Sequence, residues 1–435
     1  MLFVCILCGI HVRITSIVEP YELGIYSQKE DTIDVLILGS SLAGSNFDGQ
    51  VLWDEYGISA YSMWGMDQPL WNSYYYLEEA LKNQNPQLVV LECHSVFQQE
   101  PFLSPIERQA ASITPLRMSV NKLEAIMHSS PFELWDDMLL KMPIYHDNIT
   151  RLKKENYEKK ESLNNKGFTA TGTNIEVSHG RDHGVHECES VLPLYEKNEK
   201  YLRLIIEKCK DEDIGVLLVQ SPSPEYDYYP YFNRVKEIAE EYDVRYVNYN
   251  LPETYIDIPD DEFYDFLHLN NKGSRRLAPY IAEEMEDVCR LEDHRGDNDY
   301  VSWDYNSATT NAYYLRSLTE YEDYIDELER DGFFVCFLDY ERDGNATFQV
   351  RDFSDDKGEV LVGDAFDNFQ YEYNGHVFTA DMQNPCDVIL RYDGEFIVNT
   401  EESARVMMVY DKYTDSIIDT VLYFNKDNKS GKLTR

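Results

Sequence analysis

Ile33-Asp34-Val35-Leu36-Ile37-Leu38-Gly39-Ser40-Ser41 carries an apolar strand straight into a Gly-Ser-Ser turn. A run that is apolar on every residue suits a strand buried on both faces, the habit of a parallel sheet covered by helices. The same texture returns at 58–63, 88–91, 214–219 and 244–248. Between these runs the periodicity turns helical: Trp71, Tyr74, Tyr75, Leu77 and Leu81 share a face over 71–82, and 232–242 follows suit. Working outward from 33–41, the pattern predicts an α/β domain with a flavodoxin-like parallel sheet over residues 21–292. In such sheets chemistry gathers beyond the carboxyl ends of the strands, where Ser41 stands.

Late in the same domain comes Asp265-Phe266-Leu267-His268-Leu269-Asn270, followed by Asn271-Lys272-Gly273 and an amphipathic stretch. A serine hydroxyl is a weak nucleophile until a base takes its proton, and that base needs a third group to orient it. Ser41 supplies a hydroxyl, His268 an imidazole and Asp265 a carboxylate three residues from it, on one side of a turn. Ser40 is the other hydroxyl at the turn, one position nearer the strand. Backbone N–H groups at the start of the helix after Ser41 face a developing oxyanion, and Gly65, just past the second strand, offers another. Gly-Ser-Ser alone is more often a turn, and Asp-x-x-His alone is more often a helix cap; their order in one predicted domain is what joins them.

Composition narrows the partners. The 435 residues hold 39 basic against 80 acidic side chains, a net charge of −41, which argues against nucleic acid or an anionic membrane surface as the main partner. The 43% hydrophobic content is that of an ordinary globular chain. Residues 1–20 open on an apolar leader, Met1-Leu2-Phe3-Val4-Cys5-Ile6-Leu7-Cys8-Gly9-Ile10. With about ten apolar residues where ~20 span a bilayer, and no charged segment before them, it reads as the remnant of an anchor or export signal. A buried first strand or helix is the plainer alternative. The 8 cysteines are scattered, apart from Cys5-x-x-Cys8, and leave disulfide use open.

Residues 97–190 interrupt the strand–helix alternation, with helical periodicity at 121–128, 132–141 and 148–162 and a loop-like 164–189. So long an insertion is read as a partly helical cap over the site. Within it, His179-Gly180-Arg181-Asp182-His183-Gly184-Val185-His186 has zinc-type ligands but no helix-borne spacing, so it reads as a polar loop at the rim, with Arg181 a substrate contact. There are 34 tyrosines, and Pro224-Glu225-Tyr226-Asp227-Tyr228-Tyr229-Pro230-Tyr231 follows the fourth strand, where aromatics either stack on sugar rings or pack as a rigid loop. Beyond a polar break at 292–299, residues 300–435 predict a helix at 313–330 and short strands at 333–338, 346–350, 360–362, 377–380, 388–392, 406–410 and 417–424. That is a β-rich α+β accessory domain.

Gly39-Ser40-Ser41, Gly65 with Gln68 near it, and Asp265-x-x-His268-Leu269-Asn270 resemble the SGNH/GDSL hydrolase superfamily over residues 31–290. More narrowly they are similar to its envelope-polymer branch, which includes the D-alanyl transfer protein of teichoic-acid biosynthesis and the alginate O-acetylation proteins. The resemblance implies Ser41 as nucleophile, His268 as base, Asp265 as orienter and no cofactor or metal. It also implies an extracytoplasmic, membrane-anchored or secreted enzyme that handles acyl esters of a cell-surface polysaccharide, with a membrane acyl-donor protein as a partner. One departure stands out. Where the superfamily has Gly-x-Asn-Asp, with an Asn donating to the oxyanion, this chain reads Leu91-Glu92-Cys93-His94. An ionised Glu92 cannot donate, which leaves His94 or a backbone amide to do so. That departure motivates the rival reading, a non-catalytic scaffold that binds glycan or an envelope assembly partner.

Overall fold

The computed structural model describes residues 24–140, 150, 166–169, 188–223, 228–340, 346–354, 359–364, 369–384, 387–399, 405–423 and 433–434. It divides into two compact units, Met1–Asn306 and Ser307–Arg435.

In the first unit the chain runs β1 (Val35–Gly39), α1 (Ser41–Ser45), α2 (Gly49–Tyr56), β2 (Ala60–Trp64), α3 (Leu70–Ala80) and β3 (Leu88–Glu92). The insertion follows with α4 (Ile106–Ile113), α5 (Val120–Ser129) and α6 (Trp135–Leu140). Then come α7 (Glu196–Asp211), β4 (Gly215–Gln220), α8 (Tyr229–Tyr242), β5 (Arg245–Asn248) and α9 (Asn271–Val288). The five strands are all parallel and lie in the order β2-β1-β3-β4-β5, the flavodoxin-like order. Alternation along each strand feeds two cores. Leu36, Leu38, Val89 and Leu91 face α3, α7 and α8; Val35, Ile37, Val90 and Val219 face α1, α2 and α9. Being apolar on both faces is what the unbroken runs in the sequence encode.

The described part of the insertion packs beside α3. Asn121 Nδ2 donates to Tyr75 O at 3.0 Å, and the Tyr75 hydroxyl lies 2.8 Å from His128 Nδ1. Residues 166–169 return to the free edge of β2, where Ser62 N donates to Lys166 O at 2.9 Å and Thr169 N to Gly44 O of α1 at 2.7 Å. The 1–20 leader, the 148–149 and 151–162 stretches, and the 179–186 histidine loop with Arg181 lie outside the described residues. Among the described residues no helix is long and apolar enough to cross a membrane.

The first unit extends past the polar break at 292–299. Tyr300 stacks on Trp53 of α2 and Trp303 packs tilted against it, with ring centroids 6.0 and 5.8 Å away, and Asp304 accepts from Trp53 Nε1 at 3.0 Å. These contacts hold the start of α10 (Val301–Ser317) in the first unit.

The second unit takes up with the rest of α10, then α11 (Tyr321–Asp331), β6 (Phe334–Tyr340), β7 (Ala346–Asp352), β8 (Glu359–Asp364), β9 (Phe369–Tyr373), β10 (His376–Asn384), β11 (Asp387–Tyr392), β12 (Glu395–Asn399), β13 (Arg405–Asp411), β14 (Ser416–Tyr423) and β15 (Leu433–Thr434). Two antiparallel sheets, β15-β14-β13-β6-β7-β8 and β12-β11-β10-β9, enclose Phe348, Phe378, Leu390 and Met408. The other face of the six-stranded sheet is covered by helical Leu315, Tyr324 and Leu328. The single helix expected at 313–330 is two helices. Between them the carbonyl of Thr319 accepts from Leu433 N at 2.7 Å, a bond to β15 that a continuous helix would not leave open.

Candidate active site

The turn after β1 commits its two serines to different work. Gly39 has φ +153°, and a Cβ there would lie 2.8 Å from Glu92 Cβ, so a glycine lets the ends of β1 and β3 converge. Ser40 is the N-cap of α1: its buried Oγ accepts from Leu42 N at 3.4 Å and donates to Glu92 Oε2 at 3.2 Å. The strand-side serine is therefore part of the scaffold. Ser41, the first helical residue, turns outward, and its Oγ lies 2.7 Å from His268 Nε2. At that helical position its own N–H is left without an intrahelical acceptor.

His268 arrives on a loop between β5 and α9. Its Nδ1 lies 3.0 and 2.9 Å from the two oxygens of Asp265. The network assigns Nδ1–H as donor to Asp265 and leaves Nε2 to accept the Ser41 proton. Asp265 Oδ1 also accepts the backbone N–H groups of Leu267 and His268, at 2.8 and 2.7 Å. Burial pushes the Asp265 carboxyl up, but the bonds from His268 and these two amides outweigh it and bring it down to about 2. The three-residue spacing thus closes a ring in which one carboxylate shapes the turn and aims the imidazole.

The strand order places this group at the topological switch point between β1 and β3, where open α/β sheets form their crevice. Glu92, at the end of β3, is fully buried, and its second oxygen accepts from His94 N at 3.1 Å. His94 is buried with its ring edge-on to Phe97 at 5.0 Å and to Tyr228 at 6.4 Å. Burial, and then the neighbouring charge of His268, lower its pKa to about 4, so at neutral pH it is an uncharged imidazole able to donate. Gly65 lies just beyond β2; a Cβ there would lie 2.5 Å from Ser112 Oγ and 2.8 Å from Gln68 Oε1. Gln68 itself is fully buried, with Nε2 donating to Ser73 Oγ at 3.2 Å, and so sits beneath Gly65.

Ser41, His268 and Asp265 are thus brought together, with His94 near enough to feel the charge of His268. The Ser40–Glu92 bond and Asn46, which accepts from Leu269 N at 3.0 Å, are parts of the site that motif reading misses, because their partners lie on other segments. Among the described residues no group of three or more His, Cys, Asp or Glu side chains is placed to hold a metal ion.

No family model matches the chain, and no curated protein matches it. Among solved structures it is similar to a protein from Bacteroides fragilis NCTC 9343, provisionally described as an acylhydrolase, at 10% identity and TM-score 0.31, covering 61% of this chain and 95% of that one. It is also similar to a GDSL-like lipase from Bacteroides thetaiotaomicron VPI-5482, at 11% identity and TM-score 0.31, covering 62% of this chain and 98% of that one. At these scores the likenesses carry no inference about activity.

Proposed function

We propose that this chain is a serine-dependent acyl-ester hydrolase or O-acyltransferase of the SGNH/GDSL type. The observation that carries the reading is Ser41 Oγ at 2.7 Å from His268 Nε2, with Asp265 holding Nδ1 behind it. As Oγ bonds to the acyl carbonyl carbon, its proton passes to Nε2. The tetrahedral intermediate then collapses: the bond from the acyl carbon to the alcohol oxygen breaks, and that oxygen takes the proton from Nε2. In the second half a water or a sugar hydroxyl gives its proton to Nε2 as its oxygen bonds to the acyl carbon; the bond from that carbon to Oγ then breaks, and Oγ takes the proton back from Nε2. The Ser41 and Gly65 N–H groups, with the neutral His94 ring, serve the oxyanion in place of the missing Asn.

The substrate we favour is an acylated cell-surface polysaccharide or related polymer, handled outside the cytoplasm by a protein that the 1–20 leader anchors or exports. Arg181 is a rim contact in this reading, and a membrane acyl-donor protein is the partner for transfer. One feature supports a polymer: Tyr264 and Phe266, on either side of Asp265, are 47% and 52% exposed, rings placed to stack on sugars. An acylated polymer left unaltered by pure protein, but altered once a membrane acyl donor is added, favours transfer over hydrolysis.

The test is intact-protein mass after incubation with a small fluorophosphonate. We expect one adduct on wild type and none on Ser41→Ala or His268→Ala; an unlabelled, folded wild type sinks the nucleophile reading. One observation favours the scaffold alternative: Glu92, in the place of the donor amide, has its oxygens engaged by Ser40 and His94 N. Full biological activity in Ser41→Ala supports that alternative, because losing a true nucleophile typically costs on the order of 10⁶ in rate.

A further inference from the structure

The nucleophile and its base come from opposite ends of the first unit, and the bonds that shape the base loop are mostly internal to it. Tyr264 N donates to His268 O at 2.8 Å, Asn270 N to Glu262 O at 3.0 Å, and Asn270 Nδ2 to Asp261 O at 2.7 Å. Together with the Asp265 ring these fix the shape of the loop. None of these bonds reaches the turn that carries Ser41.

Asn46 links the two segments. It caps the C-terminus of α1, its backbone N–H closing on Leu42 O at 2.9 Å, and its side chain is fully buried. Its Oδ1 accepts from Ser45 Oγ at 2.8 Å and from Leu269 N, the amide that follows His268, at 3.0 Å. The Leu269 N–H fixes which end of the amide faces the loop, since the Ser45 hydroxyl can donate or accept. Two N–H donors cannot bond each other, so only the oxygen satisfies Leu269. Two residues on, Asp48 Oδ2 lies 3.9 Å from Arg275 Nε on α9, with both side chains buried, and joins the same two stretches of chain a second time.

We infer that Asn46 is a positioning residue for His268: by accepting the Leu269 N–H it sets the separation between Ser41 Oγ and His268 Nε2. The inference rests on the serine-nucleophile reading above. Its size follows from how steeply proton transfer depends on geometry, a displacement of about 1 Å costing on the order of 10² in rate.

The test compares wild type, Asn46→Ala and Asn46→Asp in three ways: amide hydrogen exchange at Leu269, the pH profile of fluorophosphonate labelling, and thermal melting. In Asn46→Ala we expect Leu269 to exchange at least about tenfold faster and labelling to slow by about 10–100-fold. Asn46→Asp keeps the acceptor, so Leu269 protection returns and the labelling rate recovers to within about tenfold of wild type, while the added carboxylate moves the acid limb of the profile to higher pH. A merely structural asparagine lowers the melting temperature in Asn46→Ala and leaves the labelling rate of the folded protein unchanged. Labelled wild type with Leu269 exchange and labelling rate unchanged in Asn46→Ala overturns the inference. If Asn46→Ala does not fold, Asn46→Asp decides: an unprotected Leu269 or an unmoved limb overturns it. An unlabelled wild type whose Leu269 protection still depends on Asn46 removes the nucleophile reading, reduces the bond to a structural tie, and overturns the positioning role with it.

Discussion

Each unit holds a histidine between polar partners, and the two are used in opposite ways. His268 gives Nδ1 to Asp265 and turns Nε2 to the Ser41 hydroxyl at 2.7 Å. His376 has a carboxylate at each nitrogen, Asp393 Oδ2 at 2.6 Å and Asp415 Oδ1 at 2.8 Å, while Tyr410 donates to Asp415 at 2.6 Å. The Asp393 bond, working against burial and helped by Asp415, raises the pKa of His376. Its ring therefore holds a proton more tightly than a free imidazole does, and it ties the turns after β9, β11 and β13 together. The lesson is one of vacancy: a base needs one nitrogen that faces a proton donor, and a second carboxylate converts the same side chain into a clasp.

The comparison breaks most sharply at Asp265. Asp265→Asn keeps the size but can turn an N–H toward Nδ1, so we expect a fall in labelling rate of about 10⁴, as in a triad held in the wrong tautomer; a loss below tenfold shows that Asp265 does not orient the base. Wild-type Asp265, at about 2, stays charged throughout the working range. Because its folded value lies below the ordinary one, the stability it lends is present above about pH 3.9 and is lost as pH falls through the folded value.

Glycines sharpen the contrast. Gly39→Ala meets both a positive φ and the Glu92 backbone, with the new Cβ 3.0 Å from Glu92 O. We expect it to cost about 1–3 kcal/mol and to slow labelling as the ends of β1 and β3 part. Gly394→Ala has φ +82° with nothing within 4 Å, so strain alone costs about 1–2 kcal/mol and labelling holds. Chemical denaturation and labelling, measured together, separate the two. A smaller effect is expected at the rim: Tyr264→Ala with Phe266→Ala raises KM for an acylated polymer by about two- to tenfold and leaves a small ester unchanged. Equal effects on both substrates remove these rings from polymer recognition.

The smallest change expected in the chemistry is none, in His376→Gln. Its readout is the melting temperature of the second unit. His376 binds its proton more tightly when folded, so the clasp is at full strength below about pH 6.5 and weakens as pH rises through the folded value above it. The gap between wild type and variant should close on the alkaline side; a gap that widens with pH contradicts the clasp.

What could be read from the residues followed how locally each feature is determined. The central strands of the parallel sheet are apolar almost throughout because helices cover both faces, and all five strands are visible as runs in the sequence. Three strands of the second unit, β9, β12 and β15, are not, and each lies at the edge of its sheet. Phe369-Gln370-Tyr371-Glu372-Tyr373 buries Phe369 and exposes Gln370 and Glu372, so its average hydropathy is that of a loop. The break at 318–320 leaves no local mark because what uses it, the Leu433 N–H, comes from more than a hundred positions along the chain.

By itself the sequence determined the layered α/β plan, the turn after β1, and the hydroxyl, imidazole and carboxylate available to it, since these depend on neighbours a few residues away. Tertiary structure decided which serine is free, because Glu92 claims Ser40. It decided which nitrogen of His268 faces out, because Asp265 claims the other. It also tied Asn46, at the end of the helix that starts at Ser41, to the amide that follows His268. A hydrogen bond acts over about 3 Å, and no local pattern shows which residue, 223 positions along the chain, will stand within that reach.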